Sequence, residues 1–194
     1  MSDSLEQLRD EIAVLEYRAG KTQALADLMP RWEERVYVYV LATVGNREDA
    51  WDVSQEVWLA VAQGLRRSAP IVSLGPWLYG VAHNKCMSHL RRAGRIRAHE
   101  EETPDVVAEP ADPAGAADDI ALAAEDAAAV RECVLQLPLA QREAIALFYV
   151  DQLSLDQIAG VLGVPTGTVQ SRLFYGRLRL KSLLNAKGLG DGKG

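Results

Sequence analysis

The stretch from Leu153 to Lys181, LSLDQIAGVLGVPTGTVQSRLFYGRLRLK, constrains the fold more than any other part of the chain, because it encodes two helices with a tight turn between them. Ser154 and Gln157 have the capping-box spacing, so a hydroxyl and an amide can satisfy two orphan N–H groups where a helix begins. Leu155, Ile158, Ala159 and Leu162 then fall at i, i+3, i+4 and i+7, one apolar stripe on a helix too short to stand alone. Gly163 can take the left-handed conformation past a helix end, and Pro165 cannot continue the helix. Thr166 or Thr168 can cap the second helix, on which Val169, Leu173, Gly176 and Leu180 form a buried stripe. Gly176 leaves room there for another helix to come close. Gln170, Ser171, Phe174 and Lys181 point away from that stripe. The unit reads as a helix-turn-helix whose outer face carries amide, hydroxyl, aromatic and basic groups. With Arg172, Arg177, Arg179 and Lys181 unopposed by any acid, that face suits a DNA major groove. The plainer reading, a helical hairpin with a merely solvated basic face, is weakened by the capping box and the glycine-proline turn.

The formal net charge of −6 over 194 residues runs against nucleic-acid binding until the acids are located. Ten of the 27 lie between Glu100 and Asp126, a stretch with no Lys or Arg, which leaves 17 acids against 21 bases elsewhere. The acid-free basic stretches Lys85 to Arg97 and Gln170 to Lys187 are where phosphates can bind, since local patches decide this rather than the total. The two cysteines, Cys86 and Cys133, are far apart and have no second Cys nearby. They are expected to be structural and buried. No apolar run reaches membrane-spanning length, and MSDSLEQLRDEI is charged and helical rather than a signal peptide. The expected location is therefore the cytoplasm, without membrane insertion.

Taken in order, Ser4 to Ala19 carries Leu5, Leu8, Ile12 and Leu15 at helical spacing, predicting a helix with these as its inner stripe. Thr22 can cap a second helix with Ala24, Leu25, Leu28, Trp32, Val36, Val40 and Leu41 inward, and Pro30 within it predicts a kink or a break. Asn46 caps a third, REDAWDVSQEVWLAVAQGL, with Ala50, Val53, Val57, Ala60, Val61 and Leu65 inward and Asp49, Asp52, Gln55 and Glu56 outward. With no histidine or glycine-rich loop beside them, these acids read as a solvated or protein-docking face rather than a catalytic one. RRSAPIVSLG from Arg66 to Gly75 reads as a loop before a fourth helix from Pro76 to about Arg97. In that helix Trp77, Val81 and Leu90 are expected core, and Lys85, His89 and Arg92 form a basic stripe. His83 and Cys86 lack further ligands, so no metal site is indicated. Ala98 to Ala124 has no aromatic residue and reads as a flexible linker. Helices follow from about Glu125 to Leu137 and from Leu139 to Val150, with Pro138 between them, before the helix-turn-helix. No nucleophile context or phosphate loop appears, so neither catalysis nor a cofactor is expected.

Two separated stretches resemble one family, the bacterial extracytoplasmic-function sigma factors, in the right order. N-R-E-D-A-W-D-V-S-Q-E-V-W from Asn46 to Trp58 is similar to the family's region two helix. P-W-L-Y-G-V-A-H-N from Pro76 to Asn84, with the basic Leu90 to Arg92, resembles the part that opens and reads the minus-ten element. L-P-L-A-Q-R-E-A-I-A-L-F-Y from Leu137 to Tyr149 and G-V-P-T-G-T-V-Q-S-R-L from Gly163 to Leu173 are similar to region four. The chain departs from the family at Gln170, where Arg or Lys is common, at Leu74, where Phe is common, and at Tyr175 and Gly176.

The resemblance implies an all-α chain of two small helical domains: region two over 1–97 and region four over 125–187, with the acidic linker 98–124 between them and a tail at 188–194. It implies core RNA polymerase and promoter DNA as partners, with an anti-sigma factor as a further candidate. Asp49, Asp52, Gln55 and Glu56 would bind polymerase. Arg66, Arg67, Trp77, Asn84, Lys85, His89 and Arg92 would contact minus-ten DNA. Gln170, Ser171 and Phe174 would read the minus-thirty-five element, while Thr168, Arg172, Tyr175, Arg177 and Lys181 support them on the duplex. The competing functions are a helix-turn-helix repressor or activator that acts without entering polymerase, and a protein-only anti-sigma adaptor.

Overall fold

The computed structural model describes residues 2–67, 71, 73–94 and 124–189, and among these every regular element is a helix. The helices are α1 (Ser2–Arg18), α2 (Gln23–Val44), α3 (Arg47–Arg67), α4 (Leu74–Arg92), α5 (Ala124–Leu135), α6 (Leu139–Asp151), α7 (Leu155–Leu162) and α8 (Thr166–Ala186). They fall into two compact units, Met1–Arg97 and Ala98–Gly194. The expected acidic linker, apart from Ala124, and the end of the expected tail lie outside the described residues.

In the first unit α2 packs against α1, α3 and α4. α2 contributes Val36, Tyr39 and Val40 to the core and α3 contributes Val57, Val61 and Leu65, and all six are fully buried. Tyr79 of α4 stands edge-on to Tyr39 at 5.3 Å and to Trp32 at 6.4 Å between ring centroids, the preferred aromatic geometry. Burial pushes the Tyr79 hydroxyl up to about 12, against a smaller opposing pull from Arg35. Because the raised value favours the neutral phenol, its contribution is complete below pH 10 and lost as pH rises from about 10 to 12. Tyr79→Phe should therefore remove about 2–3 kcal/mol of the alkaline loss of stability. Urea melts at stepped pH check this, and parallel wild-type and variant curves would contradict it.

Several expectations for this unit are corrected. The apolar stripe of α1 faces outward, with Leu5, Leu8, Ile12 and Leu15 between 48% and 63% exposed. The inward face carries Asp10, Ala13, Val14 and Tyr17. It is held by polar anchors: the Asp10 carboxylate accepts from Trp32 Nε1 at 2.8 Å and Arg31 Nε at 2.9 Å, Tyr17 Oη donates to the Ala62 carbonyl, and Arg18 Nε donates to that of Leu65. Pro30 neither breaks nor ends α2, which is one helix over 22 residues. Pro30 and Ala26, whose carbonyl loses its partner, both lie on the exposed side, where water can satisfy that carbonyl. Thr22 precedes α2 without a side-chain cap bond. Arg66 and Arg67 end α3 rather than opening a loop, and α4 begins two residues before Pro76 and stops at Arg92, where Gly94 takes φ +66°. In α4 the core positions are Leu78, Tyr79, Ala82, Cys86 and Leu90, with Trp77 and Val81 only half-buried.

The second unit is built on α8, which packs against α5, α6 and α7. Val169, Leu173, Gly176, Leu180 and Leu184 are its buried stripe. Gly176 is required by close approach, since a Cβ there would lie 3.1 Å from Ile145 Cγ1 and 3.4 Å from the Gln141 Cβ. Arg142 turns back from α6 and donates to the Leu135 and Leu137 carbonyls, both at 2.9 Å, satisfying the end of α5. The capping box at Ser154 and Gln157 is present in both directions, and Gly163 ends α7 at φ +67°. The expected threonine cap of α8 is absent: Pro165 occupies the N-cap, and the Thr166 hydroxyl instead donates to Asp156 at 2.9 Å, tying α8 to the first turn of α7. Cys86 and Cys133 are buried and form no disulfide among the described residues.

Candidate nucleic-acid and protein interfaces

Asn46 starts α3 by accepting the Asp49 N–H at 2.8 Å, which fixes where the acids emerge. Helical spacing then puts Asp49 and Glu56 on one line, two turns apart, facing the basic stripe of α4. His89 Nε2 lies 3.3 Å from the Asp49 carboxylate. Arg92 donates to both oxygens of Glu56 at 3.1 and 3.4 Å, and Lys85 Nζ lies 3.6 Å from Glu56. The Arg92 hydrogen bonds are the main reason the Glu56 carboxyl sits below its ordinary range, with the charges of Arg92 and Lys85 adding to the effect against partial burial. Two residue sets expected to serve different partners thus meet each other.

Asp52 and Gln55 stay exposed, and Gln55 belongs to a different surface. It lines a groove of about 760 Å³ between α2 and α3, together with Met29, Tyr37, Trp51, Trp58 and Leu59. Trp51 is 58% and Leu59 65% exposed. Sequence reading passed over these three α3 residues, although their large apolar side chains fall outside the Ala50, Val53 and Val57 stripe and so had no place in the core.

On α4, Asn84, Lys85 and Arg92 line a cleft of about 410 Å³ with Glu56 and Ser88. Trp77 and Val81 continue the same helical line toward the start of α4. Arg66 and Arg67 are both exposed, and the Arg66 guanidinium lies 5.1 Å from the centroid of the Tyr17 ring.

In the helix-turn-helix, Gln170 and Ser171 are half-exposed and Phe174, Leu178, Arg179 and Lys181 are exposed, on the side away from the buried stripe. The Ser171 hydroxyl donates to the Gly167 carbonyl at 3.1 Å, and Tyr175 packs edge-on to Phe174 with centroids 5.3 Å apart. Thr168 sits in the first turn of α8, with its N–H donated to Pro165. Arg177 is held against α6, donating to Tyr149 Oη at 3.2 Å and lying 4.7 Å over Phe148. Arg172 is half-buried beside the inner stripe. The predicted outer face is therefore assembled, except that Arg177 is committed to an aromatic clamp. No cluster of metal-ligating groups occurs among the described residues. No described helix is long and apolar enough to cross a membrane.

The two units match two successive protein-family models: Sigma-70 region 2 over residues 28–96 and Sigma-70 region 4 over residues 127–180. This defines a two-domain chain of the Sigma-70 class. Within that class it is 34% identical to the ECF RNA polymerase sigma factor SigE of Mycolicibacterium smegmatis, over 80% of this chain and 62% of that protein. It is 32% identical to the SigD factor of Mycobacterium bovis, over 96% of this chain and 89% of that one. It is 30% identical to the sigma-E factor of Escherichia coli, over 89% and 92% of the two chains. The chain belongs to the ECF RNA polymerase sigma factors. In fold it is similar to CnrH solved with the cytosolic domain of CnrY, with a TM-score of 0.66 at 22% identity over 92% of this chain and 98% of that one. It is likewise similar to the sigma factor RpoE of Bartonella quintana solved with the anti-sigma factor NepR, with a TM-score of 0.60 at 23% identity over 82% and 97%.

Proposed function

We propose that this chain docks on core RNA polymerase and brings it to promoters, with the first unit contacting polymerase and minus-ten DNA and the second reading the upstream duplex. The observation that carries the reading is the outer face of α8, where Gln170, Ser171 and Phe174 are available opposite a fully buried stripe. On the first unit, Asp52, Gln55 and the Trp51–Leu59 groove are the polymerase surface, and Asn84, Lys85, His89 and Arg92 are the DNA surface, with Trp77 in line. Arg67 extends the positive charge at the end of α3. Lys181 and Arg179 supply phosphate contacts on α8, supported by Thr168, Arg172 and Tyr175. Arg177 positions this helix against α6 rather than gripping DNA directly. An anti-sigma factor is proposed as a further partner, by analogy with the solved complex of RpoE with NepR.

Transcription from a randomised promoter library with purified core polymerase tests this. Starts should require both the chain and the core enzyme, whereas DNA binding as a dimer on paired half-sites without polymerase would support a repressor or activator instead. An amide can pair bidentately with the N6 and N7 edge of adenine, and arginine with guanine, each discriminating by about 1–3 kcal/mol. Gln170→Arg should therefore move one upstream position from adenine toward guanine and leave the minus-ten preference unchanged. Identical upstream preferences for the two proteins would remove Gln170 from base readout.

A further inference from the structure

The contact between Glu56 and the cations of α4 joins two surfaces that serve different partners in the function proposed above. Glu56 is near the polymerase-facing Asp52 and Gln55, yet both of its oxygens are taken by Arg92, with Lys85 close beside. We propose that Glu56 is a latch shared by the two interfaces: in the free chain it holds Lys85 and Arg92, and a basic group of polymerase that takes Glu56 releases both cations to the DNA backbone.

The side-chain exposures of Glu56, Lys85 and Arg92 are 40%, 35% and 63%, so all three groups can change partners without unfolding. Exposed pairs of this kind are weak, which makes exchange easy and limits the latch to about a fivefold effect per pair. An incoming cation that takes the same two oxygens must share the lone pairs that Arg92 uses, so polymerase and Arg92 compete for the carboxylate. By linkage the effect is reciprocal: phosphates that capture Arg92 leave Glu56 open to polymerase, and polymerase on Glu56 raises the affinity for DNA. The latch rests on the reading that α3 meets polymerase and α4 meets DNA.

The test is fluorescence anisotropy of the full chain, without polymerase, binding a labelled oligothymidylate across a salt series. Glu56→Gln should tighten binding about three- to fivefold and steepen the logarithmic salt dependence by about 0.7–1.4, as one or two cations become free to displace counterions. Glu48→Gln removes the same charge from the same helix, but Glu48 has no ion-pair partner among the described residues. It should leave affinity unchanged. In a Lys85→Gln, Arg92→Gln background, adding Glu56→Gln should give no gain. An equal gain from Glu48→Gln, a gain that persists without the two cations, or no gain at all would overturn the latch. Arg92→Gln in the assembled holoenzyme separates this from the underlying reading. Weakened promoter binding there, with no gain from Glu56→Gln in the free chain, discards the latch alone, whereas intact promoter binding discards the DNA role of α4 and the latch with it.

Discussion

Replacing Asp10 with alanine should lower the stability of the first unit by about 2–3 kcal/mol, although Asp10 lies on a helix whose most hydrophobic stripe faces solvent. Its carboxylate is buried and joins Trp32 Nε1 and Arg31 of α2, with an Arg31 Nη2 contact at 2.8 Å. Truncation leaves the Trp32 N–H in the interior without an acceptor, and an unmade buried bond costs more than a made one contributes. Arg31 is more exposed and can turn to water, so the penalty falls short of the 3–5 kcal/mol typical of fully buried ion pairs. Asp10→Asn keeps one carbonyl oxygen for Trp32 and should recover part of the loss. Denaturant melts of the three proteins measure this, and an alanine variant that melts with wild type would show that α1 is held by its apolar contacts alone. Ala13, Val14 and Tyr17 would then have to supply the whole anchor.

Reversing Asp52 to lysine together with Gln55→Ala should weaken binding to core polymerase by about thirtyfold or more, since breaking a charged interfacial contact costs about 2–5 kcal/mol. Both side chains are exposed, so helical content and melting should stay within about 0.5 kcal/mol of wild type. Glu56 is left out of this variant deliberately. A lysine at that position would also repel Lys85 and Arg92 and so confound the proposed polymerase surface with the proposed DNA surface. Titration of labelled core enzyme supplies the measurement, and wild-type affinity in the double variant would remove α3 from the polymerase interface. Adding Trp51→Ala tests whether the adjoining groove extends that surface, as a large exposed aromatic at an interface commonly does.

Most of the helices could be read from the chain because their determinants are local. The apolar spacing of α2, α3 and α8, the Ser154–Gln157 capping box, the Gly163 stop and the small Gly176 each act over one or two turns, so adjacent residues were sufficient evidence. The outer position of Gln170, Ser171 and Phe174 followed from the same short-range pattern, whereas the division into two small helical units was implied by the resemblance to the family. Only the tertiary structure decided which face of α1 is buried, because Asp10 finds its partners 21 and 22 residues away on α2 and Arg18 finds the Leu65 carbonyl 47 residues away. It also divided the polar face of α3, turning Asp49 and Glu56 toward α4 and Gln55 toward a groove, and it set Arg66 and Arg177 against aromatic rings. Charge and polarity are carried by single residues, but whether a charged group meets solvent, a ring or an opposite charge depends on which distant segment folds against it. Helical periodicity gives the direction in which each such side chain leaves its helix, and only packing supplies what it meets there.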